Sequence, residues 1–112
     1  MTPEQRLTAF REFVEKRPGD PFARYSLAMQ LRTMGRTAEA AAELREVAQR
    51  SPDYVPAYII LGQVLEALGE SAEAARVYEA GVAVATRAGN DHARSELGSA
   101  LDSLRARGEA TR

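Results

Sequence analysis

Cysteine is absent from the 112 residues, which excludes disulfides, thiolate nucleophiles and thiolate-rich zinc sites and leaves packing alone to hold the fold. Histidine is nearly absent. His92 is the single one, and a metal centre or histidine general base built on it lacks further ligands, a nucleophile and a glycine-rich phosphate loop. No apolar run approaches the roughly 20 residues of a bilayer-spanning helix. The start, Met1-Thr2-Pro3-Glu4-Gln5-Arg6, has neither the basic nor the apolar block of a secretory signal, so a cytoplasmic protein without membrane contact is the default expectation. An excess of one charge is missing too: a formal net charge of -1 offers no attraction to nucleic acid or to an anionic membrane. Lys16 is the one lysine among 15 basic residues, an arginine bias from which no function follows.

What is present has ordinary globular proportions, 45% apolar and 28% charged, so the chain has the means to bury a core. Its length suits one domain, and residues 1–112 are read as a single unit. Within it a repeat is visible. Leu27-Ala28, Leu31, Gly35, Ala40 and Leu44 return as Leu61-Gly62, Leu65, Gly69, Ala74 and Tyr78, each displaced by 34 residues. In each copy apolar residues recur three and four apart, which predicts two amphipathic helices. Gly35 and Gly69 stop the first helix in a left-handed turn. Thr37 and Ser71 are the expected N-caps of the second, ahead of Ala-Glu-Ala segments that favour helix.

The ends continue the scheme. Thr2-Pro3-Glu4-Gln5 reads as an N-cap, a proline at the first helical position and a capping-box glutamine, opening a helix within residues 2–17 that carries Leu7, Phe10, Phe13 and Val14. Pro18 lies 34 residues before Pro52, so this is the second helix of a truncated earlier copy. Residues 20–53, opened by Asp20-Pro21, form the first full repeat and residues 54–88 the second. Residues 90–107, with Ala93, Leu97-Gly98, Ala100, Leu101 and Leu104, form a C-terminal capping helix like the first helix of a third copy. The expected fold is all-α, antiparallel helix-turn-helix repeats of about six helices. About three such units are needed to bury each other's apolar faces.

These residues resemble the tetratricopeptide repeat family, specifically its small bacterial-type proteins, whose units follow W-x2-L-G-x2-Y, A-x3-F and P. The second copy supplies Tyr58, Leu61, Gly62, Leu65, Ala74 and Tyr78; the first supplies Leu27, Ala28, Leu31, Ala40, Leu44 and Pro52. Ala28, Gly62, Ala40 and Ala74 stand where the helices of a hairpin approach closely. The chain departs from the pattern at Arg24, where the family often has an aromatic, and at Leu31 and Leu65, which replace tyrosine. Thr86 replaces the proline, and the third Leu-Gly is displaced by 36 residues, so the helix through Val77 to Arg87 is expected to run long.

The resemblance implies a right-handed superhelix whose first helices line a concave groove for a peptide or partner helix, a non-catalytic interaction module or scaffold with no cofactor. By position the groove should include Phe22, Tyr25, Met29 and Arg32, then Ile59, Gln63 and Glu66, then Ser95, Ser99 and Asp102. Tyr25, Met29 and Ile59 would form its apolar centre and Arg32, Gln63 and Glu66 its rim. Packing against neighbouring helices is the alternative role for each. The family's carboxylate clamp for heat-shock chaperones would fall on Tyr25, Met29, Ile60, His92 and Glu96, none of which fits it. An RNA-binding helical repeat would need a basic groove, and here only Arg32 and Arg24 offer charge. Self-association as a homodimer through the terminal helices is a further alternative, set against the polar outer face of Ser95, Ser99, Asp102 and Arg105, which favours a monomer. Glu39, Glu43, Glu46, Glu70 and Glu73 are expected on the solvated convex face.

Overall fold

A computed structural model describes residues 1–110; the last two residues of the expected 1–112 span lie outside the described residues. The first helix, α1 (Pro3–Lys16), opens as its sequence predicts: the Gln5 amide N–H donates to the Thr2 hydroxyl at 3.1 Å, and the Thr2 N–H donates to the Gln5 side chain at 2.8 Å. Asp20 caps α2 (Pro21–Thr33), its carboxylate accepting from the Phe22 N–H at 2.9 Å. Then follow α3 (Thr37–Arg50), α4 (Val55–Ala67), α5 (Ser71–Arg87) and α6 (Asp91–Ala110), the last capped by the Asn90 side chain, which accepts from Ala93.

Gly35 and Gly69 take φ of 75° and 77°, and Gly89 after α5 takes 68°. Each closes its helix so tightly that the caps fall one residue earlier than expected. Arg36 N–H donates to Leu31 C=O at 2.9 Å and Glu70 N–H to Leu65 C=O at 2.8 Å, which satisfies orphan carbonyls and places Arg36 and Glu70, not Thr37 and Ser71, at the N-cap. Thr37 and Ser71 are the first helical residues. No side chain caps either helix; the Arg36 guanidinium instead pairs with Glu39 at 2.5 Å.

Each helix packs on its sequence neighbour, giving an α-only stack among the described residues in which α2 pairs with α3 and α4 with α5. The core runs through it as one seam, from Leu7 through Leu44 and Leu65 to Tyr78 and Leu97. A radius of gyration of 14.5 Å, above the roughly 13 Å of a compact chain this long, follows from stacking rather than from a centred core. The small residues act as expected: Ala28, Ala40 and Ala74 are fully buried, and Gly62 lies against the Tyr78 ring so closely that a Cβ could not fit. Gly81 has the same role toward α4, since a Cβ there would lie 2.8 Å from Tyr58 Cβ. Helix α5 spans 17 residues against 14 for α3, the lengthening expected from Thr86.

Candidate partner-binding groove

The first helices α2, α4 and α6 carry the ten expected groove residues, and the structure gives them different surroundings. Tyr25 and Met29, half-buried, line an open cavity of about 220 Å³ between α1 and α2, shared with Phe10, Ser26, Gln30 and Thr33. Ile59 lines another of about 230 Å³ between α4 and α6, with Val55, Pro56, Asn90, Ala93, Glu96 and Leu97. The single apolar patch expected from Tyr25, Met29 and Ile59 is therefore divided in two. The Tyr54 ring meets Tyr25 edge-on, with centroids 5.6 Å apart. Burial pushes the Tyr25 hydroxyl above its usual range, with Arg32 pulling it back, and burial raises Tyr54 likewise.

The polar residues are less free than a rim requires. Arg32 donates to the Gln63 carbonyl oxygen at 3.1 Å, joining α2 to α4. The Glu66 carboxylate accepts from the Tyr78 hydroxyl and from Arg107, so it ties α4 to α5 and α6. Burial and then the bond to Glu66 push the Tyr78 hydroxyl far above its usual range, which keeps it protonated as the donor. Phe22 is 54% exposed and meets the Phe13 ring edge-on at 6.4 Å. Ser95, Ser99 and Asp102 are exposed on α6.

Several lining residues escaped the positional reading. Ser26 and Thr33 continue the stripe of Phe22 and Met29 at spacings of four, a signal the sequence did contain. Val55 and Asn90 sit at helix entrances, where periodicity is silent and only the packing of consecutive hairpins places them. Of the acidic residues expected on a solvated face, Glu39 and Glu70 are exposed and the others half-buried: Glu43 reaches back to Arg24 of α2 at 2.9 Å, Glu73 bridges to Arg45 of α3 at 2.8 Å, Glu39 pairs with Arg36 at the N-cap, and Glu46 pairs with Arg50 within α3. Only Glu70, at a helix entrance, has no ion pair among the described residues. Of the two cations expected there, Arg24 pairs with Glu43 and Arg32 donates to the neutral Gln63 side chain. His92 is 92% exposed, 3.7 Å from Glu96. Among the described residues no helix is long and apolar enough to cross a membrane.

Comparison with known proteins places these features. The family model for the tetratricopeptide repeat matches residues 31–107. No curated protein matches the chain. A tetratricopeptide repeat domain protein from Salinibacter ruber is 34% identical, with a TM-score of 0.74 over 77% of this chain and 97% of its own. The TPR2B domain of yeast Sti1, solved as a complex with pHsp70, is 21% identical with a TM-score of 0.83, covering 90% of this chain and 81% of that one. PcrH, solved with the chaperone binding region of PopD, is 14% identical with a TM-score of 0.86, covering 95% and 80%. The last two likenesses are of fold.

Proposed function

Because the chain belongs to the tetratricopeptide repeat family, we propose that it is a non-catalytic adaptor that receives a peptide or partner helix in the groove lined by α2, α4 and α6. The observation that carries this reading is the pair of cavities with apolar walls at Tyr25-Met29 and at Ile59, both opening on the first helices. Two separated apolar recesses with polar surroundings suit a ligand that inserts two apolar side chains and runs across the surface between them. The edge-on contact with Tyr54 helps to hold the Tyr25 ring in place before a ligand arrives, which lowers the ordering cost of binding. Sti1 TPR2B and PcrH, which share this fold, are solved with pHsp70 and with a region of PopD, in keeping with a protein or peptide ligand here. Soluble, cytoplasmic action accords with the absence of a membrane-spanning helix among the described residues.

Affinity capture from a lysate of the source organism tests this, comparing the wild type with two variants whose helicity is checked by circular dichroism. One is Tyr25→Ala, Met29→Ala and the other Ile59→Ala. A partner held by the wild type should bind each variant at least about tenfold more weakly, the scale of losing one buried anchor. Equal retention by all three proteins would place binding outside the groove.

A further inference from the structure

Of the four half-buried arginines among the described residues, Arg24 and Arg36 meet a carboxylate and Arg6 a backbone carbonyl. Arg32 meets only an amide. Its guanidinium donates to the Gln63 side chain at 3.1 Å, and among the described residues its other N–H groups have no protein acceptor. A partly buried cation has given up some of its hydration, and a neutral acceptor does not cancel its charge. The acids nearby do not cancel it either. Arg24, Arg32 and Glu66 are the only charged side chains of α2 and α4; Arg24 is matched by Glu43 of α3 and Glu66 by Arg107 of α6, which leaves the charge of Arg32 over. Its position is central. Arg32 follows Met29 by three residues and Gln63 follows Ile59 by four, so each stands one turn from a recess residue on the same face of its helix. The bond between them crosses from α2 to α4, as a ligand must do in passing from the Tyr25-Met29 recess to the Ile59 recess.

From this we infer that the groove selects a peptide with one acidic side chain between two apolar anchors, the carboxylate being received by Arg32 through the N–H groups that the Gln63 bond leaves over. The inference rests on the groove reading and names the chemistry of its ligand. The carboxylate belongs to a side chain and not to a chain terminus, because the ligand backbone continues past Arg32 to a recess on either side. One acid fits better than a run of them. Glu96 lines the second recess and Asp102 stands exposed on α6, and both repel a further acid at that end. A nucleic-acid strand would need a series of cations, where α2 and α4 leave one uncompensated.

The test is selection from displayed random peptides of about twelve residues, which reach about 40 Å when extended and so match the 43 Å length of the molecule. Sequences enriched on the wild type should hold one Asp or Glu between two large apolar residues. Two variants, checked for helicity by circular dichroism, remove the open charge: Arg32→Gln deletes it, and Gln63→Glu gives it an internal carboxylate of the same reach. On both, the apolar pair should persist and the acid disappear. A synthetic peptide of the wild-type consensus should bind each variant about tenfold more weakly, the scale of one charge-assisted hydrogen bond. Amidation of its C-terminus should change nothing. An apolar pair without an acid, an acid retained on both variants, or binding lost on amidation would overturn the role of Arg32 while leaving the groove in place. Peptides that bind Tyr25→Ala, Met29→Ala and Ile59→Ala as well as the wild type would instead overturn the groove itself, and a selection that enriches no sequence would overturn both.

Discussion

Gly62 and Gly98 occupy equivalent Leu-Gly pairs, but their surroundings give the same substitution opposite signs. Alanine in a helix interior gains about 0.5–1 kcal/mol over glycine. At Gly98 nothing opposes that gain, because a Cβ meets open space. At Gly62 the methyl group would enter the Tyr78 ring, which is fully buried and held by its hydroxyl on Glu66, so it cannot swing aside. Overpacking of this kind costs about 1–3 kcal/mol, more than the propensity gain. Gly62→Ala should therefore lose about 1–2 kcal/mol in urea denaturation, and Gly98→Ala should gain up to about 1. If Gly62→Ala came out neutral, Tyr78 would have to be free to move, and the tie from α4 to α5 and α6 would lose its rigid centre.

At the scale of the helix, Pro52 and Thr86 show how one departure from a repeat reshapes an element. Pro52 lies beyond the end of α3, whereas Thr86 lies inside α5, its hydroxyl donating to the Val82 carbonyl at 2.7 Å. Thr86→Pro would remove a helix N–H and press the ring on that same carbonyl, costing about 3 kcal/mol. A thermal midpoint within a degree or two of the wild type would show that the long α5 does not set the position of α6. The 34-residue period, the glycine stops and the proline starts made all six helices legible in the sequence, because each rests on local backbone chemistry. The caps of α3 and α5 were misplaced because Thr37 and Ser71 are good cap residues in isolation, while the glycine turn, which fixes the geometry, puts Arg36 and Glu70 there. The groove stripe on α2 was legible from spacing. The engagement of Glu66 was not, since one of its partners, Arg107, is 41 residues away and comes into reach only through the angle of α6.

For the molecule as a whole, a stack whose helices pack chiefly on their sequence neighbours divides its stability unevenly along the chain. Helix α4 lies in the middle and buries Ala57, Tyr58, Leu61, Gly62, Val64 and Leu65. Helix α1 fully buries Leu7 alone, and its capping box contributes only about 1 kcal/mol. Helix α6 is also terminal, yet it buries Leu97, Leu101 and Leu104 and is tied by Arg105 to Glu79 and by Arg107 to Glu66. Those ion pairs are partly exposed and add little, so the leucines decide the difference. At about 1.5–3 kcal/mol for each buried leucine, and allowing for the half-buried Phe10, Phe13 and Val14, α1 should open with a free energy lower than that of α6 by roughly 2–4 kcal/mol. Native-state hydrogen exchange at low protein concentration should therefore find α4 best protected, α6 next and α1 least. Uniform protection from α1 to α6 would mean that the helices unfold as one cooperative unit, with the interfaces between hairpins outweighing the burial within them.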